Sequence, residues 1–429
     1  MSVGFLKSAE QAVAQQAAGE QFWLESIKDK AAADFFAAGL PSRRVERWKY
    51  TELKSIAQQT FDFSGAAGSV EIDEIDALLQ RECTALLVLI DGEFDALHSR
   101  REDLPMGLRV LTLSEALKLI PEQIEPYLAQ RFAAPEDAMA SLNAALLRGG
   151  FVITLDADLG VCPTIEVLHL TSNRSTPMAI NTRGIVLAKA GTRARVLEHF
   201  GHIGGGNLLN AVTQIDLGAN AELQYLRLQD LCERGRLIAR VQARVDTDAQ
   251  LRVGMLDLGG ELSRLDTRVE LRGDRASVEI NGLTAIKGRT HSDHQLEISH
   301  AARDTVSMQN FRALVDGRAR AVFAGKVIVQ VGADGADAKQ STRNLLLSAH
   351  AEVNAKPELE IHADEVKCTH GATVGQLNEG AMFYLRSRGI SEVQAREMLL
   401  RAFVTELLAT FDGAALVEPL AARFERRFF

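Results

Sequence analysis

Apolar and polar positions change rhythm twice along the chain, and the changes mark three expected regions: a mostly helical stretch over residues 1–148, a strand-built core over 149–366, and a helical end over 367–429. Residues 4 to 39 read as helix, with Phe22, Leu24, Ile27, Phe35 and Phe36 at helical spacing and Gly39 and Pro41 as the stop. ALLVLIDGEFDA (84–95) reads as a strand with Asp91-Gly92 as a turn. Residues 106–120 mix a short strand with a helix opened by Ser114, and Asp137 to Leu147 reads as a helix closed by Gly149-Gly150.

From Phe151 onward, short alternating runs such as GFVITLDAD, TIEVLHL, AELQYLRLQ and ASVEINGL follow one another with no long helical stretch. A motif recurs within them: turn residue, two polar residues, a small residue, a polar residue, an apolar residue. It appears at Gly191–Val196, Gly218–Leu223, Asp246–Leu251 and Gly273–Val278. Its alanines, at 194, 221, 249 and 276, are 27, 28 and 27 residues apart, and Asp304, followed by Val306, continues the series 28 later. A fixed period in strand-only sequence predicts a solenoid, here a parallel β-helix. The competing β-sandwich would need hairpin turns every ~8–12 residues without that beat.

The C-terminal region predicts an extended run to His370 ended by Gly371, then a helix over Gly375 to Arg388 with Leu377, Met382, Phe383 and Leu385. Gly389 stops it, and Ser391-Glu-Val-Gln394 is a capping box opening a helix to about Phe411. That helix's apolar face is read through Met398 or Leu399, Ala402, Phe403, Leu407 and Phe411. Leu416 to Phe428 reads as a last amphipathic helix.

The net charge of −9, from 48 basic and 57 acidic residues, argues against a general nucleic-acid surface. No apolar run reaches ~18 residues and no secretory signal pattern opens the sequence, so no membrane span and a cytoplasmic location are expected. Cys83, Cys162, Cys232 and Cys368 are far apart and fit a reduced compartment, the first three as core filler. The connector SRRVERWKYTEL, basic with Trp48 and Tyr50 interleaved, reads as an amphipathic segment docking its aromatics while its charges stay wet. His291, His294 and His300 read as ordinary hydrogen-bonded histidines, with His294 and His300 on one strand face. No GxxxxGK[ST] occurs, so no nucleotide site is expected; the glycine-rich Gly201–Gly206 reads as a coil turn.

The chemistry concentrates at Cys368 and His370. On a strand, residues two apart share a face, so thiol and imidazole stand side by side. They form either a nucleophile–base pair or half of a soft-metal site. The first needs an orienting third group that the sequence does not supply. The second needs ligands from elsewhere, because two donors cannot fill iron's coordination sphere.

DEVKCTHGATVGQLNEGAMFYLRSRGIS, preceded by KPELEIHAD and STRNLLLSAHAEV, resembles the C-terminal signature of the SufB/SufD family of iron–sulfur cluster assembly proteins. HSDHQLEISHAARDTVSMQNFRALVDGRARAVFAGKV is similar to the family's late β-helix, and SRRVERWKYTEL to an N-terminal motif of its SufD branch. The resemblance implies a mainly β fold: a right-handed parallel β-helix core flanked by N- and C-terminal α-helical domains. It implies a non-catalytic scaffold that pairs with SufB through the β-helix, or with itself when alone, and holds the ATPase SufC on the C-terminal helices. Cys368 and His370 fall on the family's interface cysteine and histidine, where a transient iron or nascent cluster sits. Phe383, Tyr384, Arg386, Arg388 and Phe403 fall on the ATPase-docking helices. A SufB-like homodimer and a β-helix thiol enzyme using Cys368 and His370 remain the alternatives.

Overall fold

The computed structural model describes residues 3–16, 21–63, 65, 68, 70, 82–157, 159–172, 174–201, 205–410, 422–426, 428 and 429. The core is a parallel β-solenoid of about eight turns. Each turn contributes one strand to each of two facing sheets. One sheet ends in Asp337–Leu346 and Lys367–Gly375, the other in Arg320–Val329 and Glu352–Ile361.

Strand parity builds the interior. On the strand Ser277–Ile286, for example, Val278 and Ile280 point into the lumen, where one continuous apolar cluster runs through most of the coils. The sheets' outer faces are covered by helices. Phe5, Phe35, Trp48, Leu53 and Ile56 from the N-terminal region pack on Ala179, Leu208, Ile238 and Leu262 of one sheet. Leu400, Val404, Leu407 and Leu408 of the helix Glu392–Leu408 pack on Leu228, Leu256, Leu283 and Leu314 of the other. Burial on both faces is why these strands read as nearly unbroken hydrophobic runs.

The repeat is real, but its invariant is the backbone rather than the alanine. One corner of the solenoid is a column of left-handed residues: Gly191, Asn220, Asp248, Arg275, Asp304 and Gly335, with φ of 73°, 58°, 56°, 60°, 57° and 80°. Each donates its N–H to a carbonyl of the following coil, from Gly191 to Ala219 O (2.9 Å) through Gly335 to Glu365 O (2.7 Å). The small buried position comes just after: Thr192, Ala221, Ala249, Ala276, Thr305 and Ala336. Ala194 pairs with Leu223 instead, and Asp304 belongs to the left-handed column, so two members of the expected alanine series sit off register.

Other expectations shift locally. The N-terminal helix is two helices, Val3–Ala14 and Phe22–Ala38, with Gly39 (φ 68°) as stop. Asp91 and Gly92 form the two-residue turn of a hairpin, both with φ > 0. Its strand Ala85–Ile90 pairs with Thr164–Leu170, so the sheets begin before residue 149. The helix Leu113–Leu119 is capped by Thr112 with Glu115, not by Ser114. The Ser391–Gln394 capping box forms as expected. The helix it opens is turned about one residue from the expected face: Ala395, Leu400, Val404, Leu407 and Leu408 are buried, while Met398 and Ala402 are exposed. Phe411, most of the expected helix over 416–428 and part of Gly201–Gly206 lie outside the described residues. Cys162 is exposed, and Cys83 and Cys232 are half-buried, so none of the three is a fully packed filler. No helix among the described residues is long and apolar enough to cross a membrane.

The connector docks Trp48 and leaves Arg43, Arg44, Glu46 and Lys49 exposed, as expected, but Arg47 is drawn in as a staple. Trp48 is buried beneath the Arg264 guanidinium, 3.9 Å from its ring, and its indole N–H donates to Glu136 O at 2.9 Å. Arg47 bridges Asp266 (2.6 Å) and Glu297 (2.9 Å). Burial pushes the Asp266 carboxyl up, but Arg240, Arg47 and Arg268 around it win and hold it well below the carboxylate range.

Candidate functional site at the open end

Cys368 and His370 lie on Lys367–Gly375, the last strand of the solenoid. It pairs in parallel with Asp337–Leu346, Cys368 opposite Ala338 and His370 opposite Gln340. Ala338, Gln340, Thr342 and Asn344 are all buried and lumen-facing, so Cys368, His370, Ala372 and Val374 face the lumen where it opens. Gly371 does not end the strand. The extended run continues to Gly375, and the next helix starts at Glu379, capped by Asn378. The site therefore belongs to the solenoid and not to the helical end, across the boundary expected at 366/367.

Among the described residues, the strand's outer edge is unpaired. Lys367 N–H donates to Ala336 O at 2.8 Å, so odd-numbered amides face the preceding strand. The even-numbered ones, those of Cys368, His370, Ala372 and Val374, face outward. The same residues thus offer side chains to the lumen and main-chain groups to the edge. The companion edge strand, Glu352–Ile361, differs. Its even-numbered residue Glu352 and the following His362 donate inward, to Ala319 O and Val329 O, so odd-numbered residues face the edge, and the central one is Pro357, which has no N–H. Proline blunts one edge and leaves the cysteine–histidine edge available. The proline in KPELEIHAD is the sequence signal for this edge strand.

Cys368 is half-buried against Val327, Val329, Ala333, Ala336 and Ala338, while His370 is exposed. Burial pushes the Cys368 thiol up, and the Asp337 carboxylate adds to the rise against an opposing hydrogen bond with Ala338. This is the reverse of an activated nucleophile. Among the described residues no group of three or more His, Cys, Asp or Glu side chains is placed to hold a metal ion. The pair is a two-donor fragment at an open end, chemically suited to a soft or borderline metal once further ligands arrive.

The three upstream histidines are separately engaged. His291 meets Thr51 Oγ1 at 2.8 Å, His294 lies 3.1 Å from Asp257, and His300 contacts the Thr305 and Ser307 hydroxyls, each at 2.8 Å.

The helical-end residues divide into two sets. Phe383 and Tyr384 are 73% and 57% exposed on the helix Glu379–Ser387, unusual for aromatics on a structured helix. Arg388 stacks over Tyr384 at 5.3 Å, and Arg386 reaches Glu392 at 3.4 Å. A cavity of about 950 Å³ separates this helix from the loop at 346–349, lined by Met382, Phe383, Arg386, Glu392 and Arg396 among others. Phe403 faces the other way: Arg312 stacks on it at 5.3 Å, donates to its carbonyl and pairs with Glu406 at 2.5 Å. Phe403 therefore anchors the helix to the solenoid.

Comparisons with known proteins agree with this architecture. Residues 169–403 match the SufBD core domain of the SUF system for FeS cluster assembly, and residues 5–167 match the SufBD protein N-terminal region. The chain is 32% identical over 406 residues to an iron–sulfur cluster assembly SufBD family protein of Synechocystis, covering 91% of this chain and 88% of that protein. It is 29% identical over 394 residues to the iron–sulfur cluster assembly protein SufD of Escherichia coli (91% and 89%). To SufD of Bacillus subtilis it is 22% identical over 426 residues (95% and 94%).

Proposed function

The chain belongs to the SufB/SufD family of iron–sulfur cluster assembly proteins, and from that premise we propose that it is a SufD-like scaffold subunit that catalyses no step itself. Its open solenoid end pairs with SufB, and its exposed C-terminal helix receives the ATPase SufC. Cys368 and His370 are this chain's share of a site at which iron, or a nascent cluster, is held as cargo. The observation carrying this reading is that the strand bearing both donors closes the solenoid with an unpaired edge and an open lumen face. A partner strand docking there gains about 1 kcal/mol per main-chain hydrogen bond and brings its own ligands opposite His370. The raised Cys368 pKa supports the scaffold over the thiol enzyme.

Co-expression with SufB and SufC, followed by anaerobic reconstitution, tests it. His370→Ala should leave the complex intact and lower cluster yield, and Phe383→Glu should release SufC while SufB stays bound. Unchanged cluster yield in His370→Ala removes the imidazole from the site. Retention of SufC by Phe383→Glu removes the exposed helix from the docking surface. A second copy of this chain fits the same edge when SufB is absent, and light scattering of the isolated protein reads that state.

A further inference from the structure

Gln340 is the residue below His370 in the parallel register, on the lumen face, and is 3% exposed. Its Nε2 donates to Gln309 Oε1 at 2.7 Å. Its Oε1 is buried and has no hydrogen-bond partner among the described residues. A buried carbonyl oxygen left in that state forfeits its hydration without replacement, so it calls for a donor. Gly325 on the facing sheet shows how closely the amide is seated. A Cβ placed there would fall 2.0 Å from Gln340 Nε2, and the glycine has no left-handed φ to explain it. Gln309 and Gly325 together hold the amide in the lumen, one coil level below the open end.

Side chains in register on adjacent parallel strands stack about 4.8 Å apart, and the exposed His370 ring has no hydrogen-bond partner among the described residues. We propose that Gln340 is the positioning residue of His370: its Oε1 accepts the N–H of one imidazole nitrogen, which leaves the other nitrogen unprotonated and turned toward the open end. A neutral imidazole carries a single ring proton, so fixing that proton fixes the lone pair. Outer partners commonly set which nitrogen of a metal-binding histidine is free. The orientation of the amide pair sets the sense of the device, and Gln309 Nε2 is, like Gln340 Oε1, buried with no hydrogen-bond partner among the described residues. If both amides reversed, Gln340 would present N–H upward and draw the lone pair into the lumen. The inference deepens the reading of His370 as a donor to iron and rests on it for its purpose, but both residues lie within this chain, and the contact forms when the His370 ring turns onto the unpartnered Gln340 Oε1.

The full-length chain, with ¹⁵N-labelled histidine and the His370 signals assigned by their loss in His370→Ala, gives the test. A long-range proton–nitrogen spectrum taken where the imidazole is neutral reads which nitrogen carries hydrogen. One tautomer is expected in the wild type and in Gln340→Glu, which keeps an acceptor oxygen. The mixture of free imidazole is expected in Gln340→Met, and a move toward it in Gly325→Ala, which displaces the amide without removing it. A free-imidazole mixture in the wild type overturns the proposal whether or not the variants fold, as does an unchanged single tautomer in Gln340→Met. Anaerobic Fe(II) binding by the SufB-paired complex with and without His370→Ala tests the donor reading separately, and its failure would leave the tautomer result standing.

Discussion

His300 gives the solenoid a calculable pH response. It ends the strand His291–His300 inside the lumen, fully buried. Thr305 Oγ1 donates its own hydrogen to Ala302 O at 3.2 Å, so it accepts from His300 Nδ1–H, and the Ser307 hydroxyl then donates to Nε2. The ring is satisfied as the neutral species, and a second proton on Nε2 would force the Ser307 hydroxyl to turn from donor to acceptor while adding a buried charge. Burial pushes its pKa from 6.5 down to about 4, with Asp337 and Thr305 pulling weakly the other way. Because the folded value lies below the unfolded one, the unfolded chain takes up the proton first as pH falls. His300 therefore contributes its full stability above about pH 6.5 and loses it between there and about pH 4. At 1.36 kcal/mol per unit, the gap amounts to about 3 kcal/mol, of which about 2.5 is lost by pH 4.5. The assay is urea unfolding of wild type and His300→Gln at about pH 7.5 and pH 4.5, because the variant removes this titration and leaves every other group in place. The wild-type advantage should shrink by about 2.5 kcal/mol between the two conditions. An equal difference at both pH values would refute the assignment.

Three further outcomes are expected. Trp48→Ala should cost about 3–5 kcal/mol by thermal or urea unfolding, since it empties a buried site under Arg264 and orphans the Glu136 carbonyl. Gly150→Ala should be far more damaging than Gly371→Ala in the same measurement: at Gly150 (φ 144°) a Cβ would lie 1.8 Å from Arg183 O, whereas Gly371 has nothing within 4 Å. Iodoacetamide at neutral pH should label exposed Cys162 well before Cys368, whose half-buried thiol is held protonated, as peptide mass spectrometry will show.

The solenoid was legible because stacking identical coils imposes one period on the sequence, and strand parity then placed Cys368 beside His370. The register of the repeat was harder to read. What the corner conserves is a left-handed backbone, and Gly, Asn, Asp and Arg all occupy it, so the nearby alanine of Ala194 was an unreliable marker. The buried face of Glu392–Leu408 was read about one residue off because its underside meets leucines from four coils, contacts that no local pattern encodes. The staple of Arg47, Asp266, Arg264 and Asp293 was likewise invisible, since Arg47 lies more than 200 residues from the other three and only the fold makes them neighbours.

The corner column of left-handed residues has one more implication. Its rungs run from each coil to the next, so an interior coil is clamped from both sides, whereas the coil carrying Cys368 and His370 is clamped from one side alone. In a stack whose stability is a sum over neighbours, the final member frays first. The donors therefore stand on the least rigid rung, and whatever docks there supplies the missing clamp. On the proposed reading, metal retention and assembly would be one equilibrium: loosening the partner would loosen the grip on the cargo, and a firmly bound cargo would hold the partner in place.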